Sequence, residues 1–501
     1  MTRATRRDFL KRSTAGGLAW GLPALWLGNR ITKGAGPGEE VRVAVLGLGG
    51  IDTVGGVGGR GRQLIESLRE IPGVRVVALC DVDAQVLGHS VEQFRTRQEH
   101  VADYRDLRKV LDDESIHAVA IATPNHWHAL ATIWACQAGK DVYVEKPFSH
   151  DIWEGRQMVA AARKYGRMVQ VGTQRRSSEV LAEAFDYLHS GQIGAIRAAH
   201  ALVYRARESL GKVSRPTPVP ATVDYNLWCG PAPEDPLMRT QLHYEWHWFW
   251  STGNGEIGNN GVHIMDICRW ALRQDCPPRR AMSIGGRFGF GDSGETPNTQ
   301  IALFDYQPAP LVCEIRNFRT ATGTNAMGRF RNQDRGAVID CEGGFLAGDF
   351  AGAAMFDHRG RTIKEFRDGR KAKDLQRAHL ANFVAAVRSR KRDDLRAEAT
   401  VGHASTVCAH MANISHRLGK AARAEAIVAA NQANADVLDA FERCRDYLGK
   451  NGVDLGVTHA TAGPWLTLDS ENECFVDEFA REANGFLQRT YREPFVVPRI
   501  I

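Results

Sequence analysis

Apolar residues fall along this chain in two rhythms. From Val41 to Val171, short apolar runs alternate with segments whose apolar positions recur at helical spacing. Val41–Leu46, Val74–Leu79, His117–Ala122, Asp141–Glu145 and Met168–Val171 read as strands. Leu64, Ile65, Leu68 and Ile71 share one face of a helix between the first two. Runs that are apolar throughout suit strands buried on both faces of a parallel sheet. Their alternation with helices predicts a doubly wound α/β domain. From Ala195 onward the rhythm changes. Ala195–Tyr204, Ala281–Phe290, Thr299–Tyr306, Leu311–Phe318, Gly336–Cys341 and Ala353–Phe356 read as strands without regular helical crossovers, and Asp357-His358-Arg359-Gly360 reads as a hairpin turn. One mostly antiparallel sheet is expected there, closed by helices over Leu375–Arg388 and Val401–Leu418.

The ends of the first set of strands carry the chemistry. Val41–Leu46 runs into Gly47-Leu48-Gly49-Gly50, and after a glycine-rich insertion Gly56-Val57-Gly58-Gly59-Arg60-Gly61 matches G-x-G-x-x-G. Glycines let the backbone approach a pyrophosphate closely at the positive end of the next helix. Two arrangements are open: Gly47 and Gly49 turn the strand while Gly58 and Gly61 open the helix, or the insertion forms an added loop. Asp81 ends the second strand, twenty positions after Gly61. An acid there hydrogen-bonds the adenosine ribose hydroxyls and repels a 2′-phosphate, so NAD is expected rather than NADP; a turn cap is the alternative. Later strands end in Thr123-Pro124-Asn125-His126-Trp127-His128, Glu145-Lys146-Pro147 and Gly172-Thr173-Gln174-Arg175-Arg176. Open α/β sheets bind ligands at this edge. Gly58, Asp81, Asn125, His128, Lys146 and Gln174 are therefore expected to share a cleft, with the Lys146 ammonium placed to polarise a substrate oxygen or shuttle its proton.

The second half supplies a facing wall. Trp228, Tyr244, Trp246, His247, Trp248, Phe249 and Trp250 form the densest aromatic stretch, either a sugar-stacking wall or core. Glycines over Gly253–Gly258 then precede a helix predicted to start near Asn259, on which Asn259 and His263 share a face, with Asp266 one turn further. A histidine near a helix start is held neutral, as a base should be; the alternative is a core histidine bonded to Asp266. His243 and His247 flank Glu245 without a third ligand at a characteristic spacing, so no metal is expected.

At 501 residues and 43% hydrophobic, the chain can hold two or three packed domains. Lys plus Arg (64) exceeds Asp plus Glu (58) only slightly, and no basic stripe interleaves with aromatics, which argues against nucleic acid. Part of the excess lies in Arg3, Arg6, Arg7, Lys11 and Arg12. Thr5-Arg6-Arg7-Asp8-Phe9-Leu10-Lys11 fits a twin-arginine export signal, and the stretch after it, Ser13–Gly28, is too short and glycine-rich for a comfortable membrane span. The twin-arginine translocase is thus an expected partner during export, and the periplasm or cell envelope the expected location. No clear Ala-x-Ala precedes the Gly34–Gly38 linker, so a retained membrane tether stays open. Ten singly spaced cysteines, with no Cys-x-x-Cys, point to mostly buried free thiols.

With Gly58–Gly61, Asp81, Thr123-Pro124-Asn125 and Glu145-Lys146-Pro147 in this order, the chain resembles the Gfo/Idh/MocA oxidoreductases. It is most similar to an exported bacterial branch carrying Gly-Thr-Gln-Arg-Arg (172–176), Trp246–Trp250 with Gly258–His263, and a terminal Gly-Pro-Trp-Leu-Thr…Tyr-Arg-Glu-Pro-Phe (463–495). The likeness covers nearly the whole mature chain and specifies no substrate. It implies an NAD(P)-binding Rossmann domain (41–170) joined to an α/β domain with an open, mostly antiparallel sheet (171–425). A signal and linker (1–40) precede them and a C-terminal extension (426–501) follows. It implies a catalytic Lys146 before a cis proline and an acid–base His263. Around the cofactor it implies the glycine loop with Arg60, then Asp81, Thr123, Pro124, Asn125, His128 and Glu145, and it implies a homo-oligomer joined through the antiparallel sheet. The family pattern has Asp four residues before the histidine, where this chain has Asn259. Asn cannot ionise, so it is expected to orient the substrate or His263 rather than join a proton relay.

The expected reaction is hydride transfer at a carbinol carbon of a sugar, cyclitol or sugar derivative. His263 takes the hydroxyl proton, Lys146 stabilises the alkoxide, and Gln174, Arg175, Tyr244, Trp246 and His247 hold other hydroxyls. An envelope enzyme has no ready pool of free NAD, so the cofactor is expected to be tightly bound and reset within each cycle. A second carbonyl compound can do that, and so can redox-neutral glycoside cleavage through transient oxidation. A non-catalytic sugar-binding protein is a third class, against which the glycine loop, Asp81, Lys146 and His263 argue.

Overall fold

The computed structural model describes residues 38–51, 58–349, 351–369, 371–476 and 478–500. The export motif at Thr5–Lys11 and the residues Gly56 and Val57 of the insertion lie outside these. Six strands, β1 (Val41–Leu46), β2 (Val74–Cys80), β3 (Ala102–Tyr104), β4 (Ala118–Ile121), β5 (Asp141–Val144) and β6 (Val169–Val171), pair in parallel in the order 3-2-1-4-5-6. β4 and β5 are buried along their whole length, as apolar runs in a doubly covered sheet must be. The order reverses between β1 and β4, which opens a crevice at the carboxyl ends of these strands.

A helix from the second half of the sequence completes this layer. Ala372–Ser389 packs Leu380, Phe383, Val384 and Val387 against Val41, Val43 and Leu64. The pattern alone assigned this helix to the antiparallel sheet, and the structure corrects that. An apolar stripe does not say which sheet it faces, and here Tyr143 of β5 supplies the partner. Its ring lies 6.1 Å from that of Phe383, and its hydroxyl accepts from Gln376 Nε2 at 3.2 Å.

The second sheet has twelve strands. Its main path is β14-β13-β12-β11-β7-β10-β9-β8-β16-β15, where β7 is Ile196–Tyr204, β8 Arg280–Gly286, β9 Thr299–Phe304 and β10 Leu311–Arg316. β11 is Arg335–Cys341, β12 Gly344–Asp349, β13 Gly352–Phe356, β14 Thr362–Phe366, β15 Lys420–Ala422 and β16 Ala460–Ala462. Neighbours are antiparallel except β7 with β10, which run parallel. β12 and β3 were not picked out from the sequence, β12 because its glycines interrupt the apolar run.

Helices Glu179–His189, Val262–Ala271 and Ala399–Leu418 cover one face of this sheet. On the other face, Ile427, Phe441 and Leu448 of helices Ala424–Ala430 and Ala435–Gly449 pack on Ile284, Leu303 and Val312. The chain's own extension thus occupies part of the face through which a homo-oligomer was expected. The last residues return to the first domain, where Phe495 packs edge-on to Trp127 with ring centres 5.5 Å apart. Among the described residues no helix is long and apolar enough to cross a membrane. All the cysteines are free, and only Cys276 and Cys474 are not buried.

Candidate active site

Beyond Leu46 the chain turns at Gly47 and Gly49, whose φ angles of +82° and +83° favour glycine. A Cβ on Gly49 would stand 1.7 Å from the Gly58 carbonyl oxygen, and one on Gly61 1.9 Å from that of Gly47. Gly50 N–H donates to the Gly58 carbonyl at 2.9 Å, so the described residues on either side of the insertion meet at that bond. Gly47 and Gly49 therefore make the strand turn, Gly58 packs against Gly49, and Gly61 lets the helix Arg60–Arg69 sit against the turn. That helix begins with no side-chain cap and no acid in its first turn, which suits an anionic pyrophosphate. Asp81, beyond β2, accepts from the N–H of Leu48 at 2.7 Å and of Asp83 at 2.9 Å, tying its carboxylate to the same turn. Burial raises its pKa against the pull of those two donors. This glycine cradle, open helix start and acid fit a dinucleotide.

A cavity of about 780 Å³ runs from this turn to Lys146 and His263, within the usual range of about 300–1,000 Å³ for small-molecule sites. Thr123, Pro124 and Asn125 line it at the start of helix Asn125–Gln137, and Glu145, Gln174 and Arg175 line it beyond β5 and β6. Glu145 is nearly fully buried and accepts from Arg60 Nε at 2.7 Å and Gln174 Nε2 at 3.3 Å. The Arg60 guanidinium also donates to Gln376, so it is fixed in the wall rather than free.

Lys146 follows Glu145, and its bond to Pro147 is cis. Its Nζ donates to Asn259 O at 2.8 Å and Asn259 Oδ1 at 2.9 Å. Asn259 lies in a π-helical turn, Ile257–Gly261, and the regular helix starts only at Val262. Such widened turns recur at functional sites; here the turn presents both a carbonyl and an amide oxygen to the lysine. Burial lowers Lys146 to about 8 although the Glu145 carboxylate pulls the other way. His263 also lines the cavity, and its Nδ1 has no hydrogen-bond partner among the described residues. Burial, then the positive charges of Arg175 and Lys146, hold its pKa well below the usual value, so it is neutral. Asp266 is not its partner. That carboxylate is fully buried and accepts from Arg176 Nε at 2.9 Å and Ser405 Oγ at 2.7 Å.

The aromatic segment forms the facing wall. Tyr244, Trp246 and His247 line the cavity. Tyr244 Oη accepts from Arg207 at 2.8 Å, and His247 Nδ1 donates to the Tyr244 carbonyl at 2.6 Å. Burial lowers His247 to about 3. Trp246 is 9% exposed, stacks 3.6 Å from His247 and packs with Trp228 and Leu242, so most of it is core. His243 also lines the cavity, and its Nε2 lies 2.9 Å from Asp83.

His128 does not belong to this cavity. It is 1% exposed, with Nδ1 2.7 Å from the Pro147 carbonyl and Nε2 3.0 Å from that of Thr123. It braces the two loops that carry Thr123 and Lys146, a role its position at a strand end could not distinguish from ligand contact. The sequence reading also passed over Arg205 and Arg207, just beyond β7, and Glu256 in the glycine run. Arg207 holds Glu256 through Nε at 3.0 Å and Nη2 at 2.9 Å. Charges directly following a buried strand, Tyr204-Arg205-Ala206-Arg207, were the available signal.

Residues 41–173 match the family model described as the NAD-binding Rossmann fold of the Gfo/Idh/MocA oxidoreductase family. Residues 204–284 match the model of that family's C-terminal alpha/beta domain. Over 137 residues the chain is 31% identical to inositol 2-dehydrogenase of Salmonella paratyphi B, covering 27% of this chain and 40% of that protein. It is 28% identical over 241 residues to levoglucosan dehydrogenase of Pseudarthrobacter phenanthrenivorans, covering 45% and 53%. It is 32% identical over 173 residues to a glycosyl hydrolase family 109 protein of Shewanella pealeana, covering 32% and 38%. The chain thus spans about half or less of the length of these relatives. The crystal structure of an oxidoreductase domain protein from Kribbella flavida superposes with a TM-score of 0.56 at 18% identity, covering 74% of this chain and 96% of that one, which is a likeness of fold. The parallel Rossmann sheet and the mixed second domain of this chain are thus similar, over residues 41–173 and 204–284, to the two domains of the Gfo/Idh/MocA oxidoreductase family.

Proposed function

We propose that this protein oxidises or reduces a carbinol carbon of a sugar, cyclitol or sugar derivative, using NAD held along the glycine turn. The observation that carries this reading is the pairing, in one cavity with that turn, of a neutral His263 whose buried Nδ1 has no partner among the described residues and a Lys146 whose Nζ is fixed by Asn259. A bound nicotinamide supplies the hydride acceptor or donor. His263 takes the proton from the reacting hydroxyl, and Lys146, protonated at neutral pH, stabilises the alkoxide. Asn259 accepts from Lys146 and cannot take a proton, so it positions the lysine. Asp81 favours NAD over NADP because its charge opposes a 2′-phosphate. The sugar or cyclitol class is supported by the names of the inositol and levoglucosan dehydrogenases.

The twin-arginine motif supports export to the envelope, with the cofactor loaded before translocation and held through each cycle. The extension helices on the second sheet, together with Met327 and Phe330 over β11 and β12, leave β13 and β14 as the part of that face for a partner copy. A second reading, redox-neutral glycoside cleavage by transient oxidation, is favoured by the likeness to a glycosyl hydrolase family 109 protein. Purified protein is to be dialysed, then incubated with sugars, cyclitols and glycosides while absorbance near the nicotinamide band and products are followed. Reduced cofactor that accumulates supports the oxidoreductase, and free sugar without net redox supports the glycosidase. Neither signal, over a panel of both classes, would overturn both. Cofactor lost on simple dialysis counts against its retention.

A further inference from the structure

The substrate end of the cleft carries more positive charge than its acids balance. Arg205 lines the cavity directly beyond β7. Arg335, the first residue of β11, lies opposite Val203 of β7, two positions before Arg205. Among the described residues neither guanidinium has a carboxylate in an ion pair, whereas their neighbours do. Arg207 is held by Glu256, and Arg175 by Asp349 at 2.6 Å. Glu256 is fully enclosed, and its oxygens already accept from Arg207 and Asn260. Burial and the like charges of Arg207 and Arg335 disfavour the Arg205 cation, with Glu256 as the main opposing carboxylate. The same field reaches the reacting centre, since Arg175 and Arg335 both bear on His263. A partly buried guanidinium with no ion pair among the described residues, beside like charges, is a site for an anion brought from outside.

We propose that the ligand is an anionic sugar, and that Arg205, supported by the field of Arg335, grips its acidic group while the carbinol carbon lies at His263 and Lys146. The acidic group is a carboxylate, as in a uronic acid, or a sulfate ester; the two share the charge and the oxygens that a guanidinium fork recognises. The placement of the carbinol rests on the function proposed above, whereas the grip on the anion does not.

The test is binding to the NAD-loaded protein, measured by calorimetry at low and high NaCl. D-glucuronate and D-galacturonate are each compared with their uncharged amides, and glucose 6-sulfate with glucose. At least one acid is expected to bind about 10- to 100-fold tighter than its neutral twin, the range of a charge-assisted hydrogen bond. The ratio should shrink as salt rises and fall toward one in Arg205→Gln, with Arg335→Gln lowering it less. A preference confined to the uronates or to the sulfate identifies the acidic group. No acid tighter than its twin would overturn the proposal without any variant. A preference that persists in Arg205→Gln, in protein with an unchanged melting temperature, would also overturn it. An acid bound selectively but never turned over leaves the anion grip standing and removes the hydride-transfer reading; neutral sugars turned over without preference do the reverse.

Discussion

Among the places where burial perturbs ionisable groups, two make an instructive pair, because one of them opens on a cavity and the other is tied into the fold. In the cleft, which His263 and Lys146 line, desolvation lowers Lys146 to about 8 and keeps His263 neutral, its buried Nδ1 without a partner among the described residues. Under the returning C-terminal tail, burial raises Asp151 to about 7, raises Glu154 strongly, and holds His150 well down. There each group is tied into the fold. Asp151 accepts from Glu154 N–H at 2.8 Å, starting the helix Ile152–Lys164, and from Arg489 N–H at 3.1 Å. Glu154 accepts from His150 N–H at 2.9 Å, and Arg489 Nη2 donates to the Ser251 carbonyl at 2.9 Å. A displaced pKa reports burial; whether it serves chemistry depends on what the displaced group can reach. The tail cluster reads as a latch between the first domain and the chain end, and the cleft pair as the acid–base groups of the proposed reaction.

The largest expected effect separates the two regions by activity. Lys146→Ala and His263→Ala should each lower kcat by about 10²- to 10⁴-fold, the usual weight of general acid–base groups, with NAD still bound by its absorbance. Normal turnover in either variant would sink the assignment, whereas Glu154→Gln should leave turnover intact. The next effect separates them by stability. Unfolded, Glu154 ionises near about 4.3, and in the folded chain it keeps its proton to higher pH. Between those values folding takes up a proton, so stability falls as pH rises. Glu154→Gln removes that penalty. Its melting temperature should exceed the parent's by a margin that grows with pH, at up to about 1.4 kcal/mol per pH unit. A margin that is flat from pH 5 to 8 would show that Glu154 is ionised in the fold.

Smaller effects sharpen the roles inside the cleft. Asp81→Asn keeps an acceptor for the Leu48 and Asp83 N–H groups and removes the charge. It should narrow the preference for NAD over NADP by about tenfold, the order of one partly screened charge interaction. Parent-like discrimination, measured by competitive reloading of the two cofactors, would leave Asp81 as a turn brace only. The smallest expected effect is in the pH profile of kcat for oxidation. The rate should fall to about half near pH 8 as Lys146 loses its proton, with no limb near 6.5 because His263 is neutral throughout. A rate that instead rises through pH 8 would make the free amine of Lys146 the base and exchange the two roles.

Lys146 was legible in the sequence because Asp141–Val144 is too apolar to be anything but an inner strand, and residues after such strands gather at one edge. Asp81 followed from the same rule. The glycine loop was legible as chemistry but not as geometry, since the insertion let two sets of glycines compete until the Gly50–Gly58 hydrogen bond chose between them. Asn259 and His263 were found by their spacing, while the π-helical turn that aims the Asn259 carbonyl at Lys146 leaves no mark in an apolar pattern. His128 misled because a strand-end histidine can face a ligand or brace two loops with the same local sequence. Arg205 was missed because its having no ion pair among the described residues is a property of the folded neighbourhood.

By itself the sequence determined the two sheets, their strand directions in outline, and the edge at which the reactive side chains gather. These follow from side-chain spacing over a few residues, which fixes periodicity and the face each residue takes. Only the tertiary structure decided that Ala372–Ser389 covers the first sheet, that the last residues return to Trp127, and which charges find partners and which do not. Those outcomes depend on surfaces hundreds of residues apart meeting in one place, and local spacing carries no record of its distant partner.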